Sequence, residues 1–161
     1  MMVVRPVEPR DQAVLWDLLH VALWDPPPAG LRPREVLDHP GVRIYAEGWG
    51  RPGDVGDLGE ESENGEVVGA CWMRLVSGGQ GLGYVDDDTP QLGIAVFPAF
   101  HRRGHGEKLM RSALAAAKAH GYRQVSLTVH PGNPAIVLYE RCGFRKVELR
   151  KTYHLMIREL S

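Results

Sequence analysis

The sequence predicts a single domain of the mixed α/β class, and three observations lead to this prediction. Short apolar runs typical of strands alternate with segments of helical spacing, in the order β-α-α-β-β-β-α-β-α-β. The 161 residues suffice for one domain with a substantial core, and no repeat, linker or heptad pattern divides them. Hydrophobic residues make up 43% and charged residues 24%, as in ordinary globular domains. We therefore expect one domain over residues 1–161.

The N-terminal part is predicted to contain one strand and two helices. The strand covers residues 3–5, and Pro9 opens the first helix, which the proline-rich run 25–30 ends. A shorter helix begins near Pro33 and is broken around residues 39–41. The apolar positions that give the first helix its spacing are Val14, Leu15, Leu18, Leu19 and Leu23.

The middle of the chain is predicted to form three strands, over residues 54–58, 67–76 and 91–96. The Gly/Glu-rich stretch 59–65 is expected to be a hairpin turn between the first two strands. The long polar loop 77–90 leads into the third strand.

The C-terminal part continues the alternation. A helix over residues 108–120 ends at Gly121, a residue suited to the position after a helix. A strand follows over 125–129, and a helix runs from Asn133-Pro134 to about Arg141. The last predicted strand covers residues 153–157.

The most informative segment is the turn between strand 91–96 and helix 108–120, which contains Gly104-His105-Gly106. A strand that enters a glycine turn and then a helix leaves backbone N–H groups unpaired at the helix N-terminus. The helix dipole adds partial positive charge at the same place. The segment therefore predicts a binding site for a phosphate or a pyrophosphate.

Other interpretations of this turn fit the sequence less well. A P-loop needs Gly-Lys-Ser/Thr, and a dinucleotide fold needs a third glycine where Leu109 stands. His101 and His105 lie four residues apart, but no third ligand is evident, so we expect no metal. The formal net charge of −1, from 19 Lys+Arg and 20 Asp+Glu, argues against a nucleic-acid partner.

The remaining composition predicts a cytoplasmic protein without a membrane segment. Cys71 and Cys142 are too few for a disulfide framework and are expected to be buried thiols. The N-terminus lacks the pattern of a signal peptide, and no stretch reaches the roughly 18 apolar residues of a membrane helix.

Two motifs follow each other along the chain with a strand between them. Residues 101–106 fit the turn Gln/Arg-x-x-Gly-x-Gly/Ala except at the first position, and residues 135–144 fit the helix Ala-Ile-x-Leu-Tyr-Glu-x-x-Gly-Phe. In this order the two motifs resemble those of the GNAT superfamily of N-acetyltransferases. The chain departs from the family pattern at three places. His101 replaces Gln or Arg, Gln91 stands where an acidic residue is frequent, and Asn133 lies six residues before Tyr139 instead of seven.

The resemblance implies a fold and a reaction. The fold would be a central, mostly antiparallel sheet of six to seven strands, splayed at the acyl-CoA site and flanked by about four helices. The reaction would be direct transfer of an acetyl group from acetyl-CoA, a co-substrate, to a primary amine within a ternary complex. A homodimer is left open. The alternative is a non-catalytic acyl-CoA sensor or assembly module of the same fold.

The resemblance also assigns candidate site residues. Tyr139 would donate a proton to the departing CoA sulfur, because a phenol with a pKa of about 10 stays protonated at neutral pH. The residues expected to bind acetyl-CoA are Ile94, Ala95, Val96, Arg102, Arg103, Gly104, His105, Gly106, Glu107, Asn133 and Tyr139.

The general base and the acceptor stay open at this point. The candidate bases are Asp86, Asp87, Asp88, Glu47, His130 or a chain of water molecules. The candidate residues of the acceptor pocket are Trp24, Tyr45, Trp49, Arg51 and Arg74, whereas Trp16 and Trp72 are expected in the core. The acceptor amine could belong to a small amine, an amino acid, an antibiotic, a polyamine or a protein N-terminus.

Overall fold

A computed structural model describes residues 1–160 and confirms the predicted mixed α/β class. Within that range, seven strands form one sheet in the order β1-β2-β3-β4-β5-β7-β6, and only the β4–β5 pair is parallel. The strands are β1 (Met2–Pro6), β2 (Val55–Glu61), β3 (Val67–Arg74), β4 (Gln91–Val96), β5 (Gln124–Val129), β6 (Arg145–Arg150) and β7 (Tyr153–Glu159). The α-helices of the described residues are α1 (Gln12–Ala22), α2 (Pro40–Arg43), α3 (His105–His120) and α4 (Ile136–Arg141).

Two strands differ from the sequence prediction. β6 was not predicted, because most of its residues are charged and almost all are exposed. It is an edge strand, and its pairing with β7 is what makes it extended. β2 continues to Glu61, into the first residues of the predicted turn 59–65, because Gly59 is paired with Val4 of β1 and with Gly69 of β3. Pairing on both sides overrides the preference of glycine for turns.

The second predicted helix is two short elements. A 3₁₀ turn covers Arg34–Asp38, and α2 starts at Pro40 instead of ending there. The ring of His39 caps α2, because its Nδ1 accepts a hydrogen bond of 3.0 Å from the N–H of Gly41. Proline at the first helical position is compatible with this start, since its missing N–H would be unpaired anyway.

The helices cover both faces of the sheet. On one face, Ala113 and Ala117 of α3 are fully buried and let the helix pack closely on β2 and β3. On the other face, Leu15 and Leu18 of α1 pack with Trp72 of β3, which confirms that Trp72 belongs to the core. No helix within residues 1–160 is long and apolar enough to cross a membrane.

A buried ion pair holds the segment between α2 and β2. The guanidinium of Arg74 forms hydrogen bonds of 3.1 and 2.6 Å with the two carboxylate oxygens of Asp54, and both side chains are less than 5% exposed. Arg74 also donates to the carbonyl oxygens of Ile44 and Glu47, and it lies over the ring of Trp49. The N–H groups of Arg74 are therefore used in hydrogen bonds that stabilise the fold.

This arrangement corrects three expectations for the acceptor pocket. Arg74 and the buried Trp49 hold the chain together, and neither lines a ligand cavity. Arg51 lies on the surface, where its side chain donates to the carbonyl oxygen of Glu47. Trp16, which was expected in the core, is half-buried and packs against the core at its edge, with Arg43 5.1 Å from the centre of its ring.

Replacing Asp54→Ala should lower the free energy of unfolding by about 3–5 kcal/mol, because Arg74 would be left buried without a counter-charge. The matched control is Asp17→Ala, which removes the exposed partner of Arg34 and should cost about 1 kcal/mol or less. Urea unfolding of the two variants measures the difference. Equal losses would show that burial does not decide the strength of the Arg74 pair.

Candidate active site

The two parallel strands in the middle of the sheet separate soon after they meet. β4 and β5 are paired at one position, Gln91 with Ser126, where the N–H of Ser126 donates to the carbonyl oxygen of Pro90. β5 is paired with β7 along its whole length instead. The rest of the β4 edge that faces β5 is therefore left without a neighbouring strand.

The backbone of β4 presents alternate residues to this gap. The N–H of Phe97 donates to the carbonyl oxygen of Val68 in β3, and hydrogen-bonded residues alternate along an antiparallel pair. By this alternation, Ile94 and Val96 face the gap, whereas the carbonyl oxygen of Ala95 is turned to β3, where it lies close to Gly69. Ala95 is thus excluded from the expected pantetheine-binding edge.

His101 closes one end of that edge. Its Nε2 lies 2.7 Å from the carbonyl oxygen of Val96 and donates to it. This contact gives a structural role to the histidine that replaces the Gln or Arg of the family motif. The N–H and carbonyl groups of Ile94 and the N–H of Val96 remain available in the gap.

The glycine turn ends at the N-terminus of α3. Arg102 and Gly104 have φ angles of +63° and +77°, and such left-handed residues turn successive N–H groups toward one point. Gly104 is the N-cap, and the first helical hydrogen bond comes from Lys108. Within residues 1–160, the N–H groups of residues 105–107 have no protein acceptor. The turn is therefore open to an anion.

Side-chain charges make the same place more positive. The carboxylate of Glu107 binds Arg141 and Arg111, each at 3.0 Å, and these contacts lower the pKa of Glu107 below its usual value. Its negative charge is thus compensated by two guanidinium groups. Arg102 and Arg103 are exposed beside the turn and add further positive potential.

A cavity of about 280 Å³ adjoins the gap between β4 and β5. Most of its wall is apolar or aromatic, as in small-molecule sites. The lining residues that matter below are Trp24, Arg32, Tyr45, Gln91, Ile94, His130, Asn133, Tyr139 and Tyr153.

Two of the residues expected in the acceptor pocket, Trp24 and Tyr45, line this cavity. Arg32 and Tyr153 also line the cavity and were not predicted. Arg32 follows a proline-rich loop that has no periodic pattern, so no local signal could have located it. Tyr153 was the first residue of the last predicted strand, and only the pairing of β7 with β5 brings it to the cavity.

Tyr139 lies on α4 with its ring mostly buried, 6.3 Å from the centre of the Phe144 ring. Burial raises the pKa of its phenol well above the usual value, so the hydroxyl stays protonated at neutral pH. Within residues 1–160 this hydroxyl has no protein hydrogen-bond partner, and it is not sealed from solvent. It is therefore free to donate to a ligand in the cavity.

Asn133 shapes the entry to α4. Its Oδ1 accepts a hydrogen bond of 2.9 Å from the N–H of Ala135, and its own N–H donates to the carbonyl oxygen of His130. The side-chain NH₂ group keeps its hydrogens for a ligand, since Oδ1 alone serves the turn.

Gln91 is buried, and both ends of its side chain are in use. Its Oε1 accepts from the hydroxyl of Tyr45 at 2.8 Å, and its Nε2 donates to the carbonyl oxygen of Gln80 at 3.0 Å. Ser126 and Arg150 bind the same loop through the carbonyl oxygens of Gly83 and Leu82. The loop 77–90 is thus held against the cavity wall by polar side chains.

Most of the candidate bases lie elsewhere. Asp86 and Asp87 accept hydrogen bonds from Thr89 and Tyr84 within their own loop, and Asp88 lies beside them, outside the cavity. The carboxylate of Glu47 pairs with Arg43. Of the named candidates, His130 is the one that lines the cavity.

Comparison with known proteins adds independent findings. The sequence model of the Acetyltransferase (GNAT) family matches residues 16–144. The chain is 30% identical over 87 residues to a ribosomal protein bS18-alanine N-acetyltransferase of Haemophilus influenzae, covering 51% of this chain and 60% of that protein. It is 35% identical over 95 residues to an N-alpha-acetyltransferase of Sulfolobus acidocaldarius, covering 56% of each. The chain therefore matches less than two thirds of the length of either relative.

A solved structure shows the same fold. The PaiA N-acetyltransferase from Thermoplasma acidophilum, in complex with coenzyme A, superposes with a TM-score of 0.69 at 12% sequence identity. The superposition covers 99% of both chains. At this identity the likeness concerns the fold alone.

Gly104→Ala should weaken CoA binding about tenfold or more if the turn before α3 binds the diphosphate. A β-carbon at φ +77° is strained by about 1–2 kcal/mol and shifts the N–H groups that follow. Gly121→Ala is the matched control, because Gly121 caps the other end of α3 at φ +107° in similarly open space. Both variants should lose similar stability in urea, but only Gly104→Ala should lose affinity in calorimetry. Equal affinities would remove the turn from the binding site.

Proposed function

The chain belongs to the Acetyltransferase (GNAT) family, and we propose that it transfers the acetyl group of acetyl-CoA to a primary amine. The amine attacks the thioester directly while both substrates are bound. The observation that carries this proposal is the hydroxyl of Tyr139, which is protonated and has no hydrogen-bond partner among the described residues 1–160, in the cavity beside the open edge of β4.

The turn and the β4 edge would hold acetyl-CoA. The free N–H groups of residues 105–107 suit the diphosphate, and Arg102 and Arg103 add attraction at its side. The backbone of Ile94 and Val96 would pair with the pantetheine amides as an added strand does. Asn133 offers one more donor near the reacting end.

The chemical step exchanges one bond for another. The amine nitrogen forms a bond to the acetyl carbon, and the bond between that carbon and sulfur breaks. Tyr139 gives its proton to the departing sulfur and regains one from water, and the amine nitrogen, once bonded to carbon, loses one proton to water. The N–H of Ile94, farther from the glycine turn than Val96, would stabilise the negative charge on the carbonyl oxygen, an effect worth about 3 kcal/mol, and would leave the carbonyl oxygen of Ile94 and the N–H of Val96 for the pantetheine amides.

One observation favours a second candidate function, a non-catalytic sensor of acyl-CoA. Gln91 stands where the family often has an acidic residue, and hydrogen bonds occupy both of its polar atoms. No Asp or Glu among residues 1–160 lines the cavity. A sensor only binds acyl-CoA and needs no base, so this lining is compatible with a sensor.

The compartment is also part of the proposal. Cys71 and Cys142 are buried and free, which suits a reducing cytoplasm.

Tyr139→Phe should lower kcat about 100-fold and change the KM for acetyl-CoA by no more than about twofold, because only the proton donor is removed. Tyr122→Phe is the control, since its hydroxyl donates to the carbonyl oxygen of Gly53 away from the cavity. Release of free CoA thiol at saturating amine measures both variants. An unchanged kcat for Tyr139→Phe would remove this role.

The enzyme and the sensor differ in whether thiol is released at all. We expect CoA thiol to appear when the protein, acetyl-CoA and a panel of primary amines are mixed, at a rate that rises with amine concentration. Calorimetric binding of acetyl-CoA without thiol release for any amine would establish the sensor instead.

A further inference from the structure

The sequence His-Pro-Gly occurs twice, at residues 39–41 and 130–132, where it starts α2 in the first place and forms a turn in the second. In each copy, Nδ1 of the histidine accepts a hydrogen bond from the N–H of the glycine, at 3.0 Å in the first and 2.9 Å in the second. Proline has no N–H, so the glycine N–H is the first one that the ring can reach. The second copy places its ring in the cavity wall.

This contact determines which nitrogen of His130 carries the proton. An Nδ1 that accepts a hydrogen bond must present its lone pair, so the neutral ring carries its hydrogen on Nε2. The tautomer is assigned from this partner. An Nε2–H group donates a hydrogen bond and cannot take a proton from an amine. In this arrangement His130 is a donor, which removes it from the candidate bases.

The donor of His130 is free. Its ring lies between two aromatic rings of the cavity wall, 5.5 Å from Trp24 and 6.0 Å from Tyr153, centre to centre. Within residues 1–160, Nε2 has no protein hydrogen-bond partner. A ligand in the cavity can therefore supply an acceptor oxygen to it.

The charges of the cavity limit what the ligand can be. Arg32 is the one cationic Lys or Arg side chain in the described lining, and both oxygens of Asp25 bind it at 2.8 Å. A substrate carboxylate would find this cation already neutralised. A second ammonium group would find no carboxylate in the described wall. A neutral carbonyl oxygen suits the cavity better than either charge.

The absence of a base in the described lining also favours acceptor amines with a low pKa. With His130 as a donor and no carboxylate in the described lining, the ammonium must lose its proton to water before it attacks. An α-amine has a pKa of about 8 and a lysine amine about 10.4, so at pH 7.5 about a quarter of the first and about 0.1% of the second are neutral.

We propose that His130 recognises the acceptor by donating its Nε2–H to the carbonyl oxygen next to the amine. The acceptor class is then an α-amino carbonyl compound, either a free amino-acid amide or the first residue of a peptide. This inference rests on the proposed acetyl transfer for its kinetic test but not for its structural test.

The kinetic test compares two variants with two amines. Asn at position 130 can replace Nδ1 in the turn but lacks the donor, whereas Gln can replace Nε2–H. For phenylalaninamide, we expect His130→Asn to raise the KM about tenfold at unchanged kcat, the loss of one neutral hydrogen bond, and His130→Gln to stay near wild type. For 2-phenylethylamine, which lacks the carbonyl, neither variant should change the KM. His39→Asn, in the other copy of the motif, is the matched control.

Two kinetic results would overturn the proposal. A loss of kcat of about 100-fold in both His130 variants would indicate that His130 acts as the general base. Equal effects of His130→Asn on both amines would remove the carbonyl contact. A tripeptide amide that begins with phenylalanine identifies the source of the acceptor, since a KM far below that of phenylalaninamide indicates a peptide and equal values indicate a small molecule.

The structural test needs no activity. Imidazole ¹⁵N NMR, at a pH where the His130 ring is neutral, should show its hydrogen on Nε2. The Nε2 signal should shift when phenylalaninamide binds but not when 2-phenylethylamine binds. A hydrogen on Nδ1, or no shift at saturating phenylalaninamide, would refute the assignment. If no amine is acetylated, the proposed function fails, and the NMR result still decides the role of His130.

Discussion

The site depends on one constraint, the separation of β4 from β5 after a single paired position. β4 is paired with β3 and β5 with β7 on the edges that face away from the gap, so beyond the single β4–β5 pair the sheet consists of two parts, β1–β4 and β5–β7. Unpaired backbone groups inside a protein are costly unless something satisfies them. Here they lie on an accessible edge, where an amide-bearing ligand can pair with them. The cavity, the glycine turn and Tyr139 all adjoin this opening.

The polar side chains around the opening are divided between support and chemistry. Gln91 and the Arg74–Asp54 pair use all or most of their hydrogen-bonding groups to hold loops in place. The hydroxyl of Tyr139 and Nε2 of His130 have no hydrogen-bond partner in residues 1–160. A free donor in a largely apolar wall is rare unless a ligand uses it. This contrast separates residues that build the cavity from those that we propose to act in it.

Features encoded by neighbouring residues could be predicted from the sequence. The turn at Gly104 and the helix that carries Tyr139 depend on glycine conformation and on helical spacing, and both are present in the structure. Trp49 and Arg74 were wrongly predicted to line the acceptor pocket, because their burial depends on Asp54 and on carbonyl groups distant in sequence. β6 was missed because its partner strand, and not its own composition, makes it extended. The role of each candidate binding residue stays a prediction.

The glycine turn before α3 and Tyr139 on α4 are held at a fixed distance from each other. Glu107 stands at the start of α3 and Arg141 at the end of α4, and their exposed contact of 3.0 Å joins the two helices. Leu109 and Met110 of α3 lie in the same buried core as Tyr139 of α4. Core packing therefore fixes the distance between the anion-binding turn and the phenol. A carrier whose arm is one methylene group shorter or longer would bring its thioester to the wrong place, whatever its affinity.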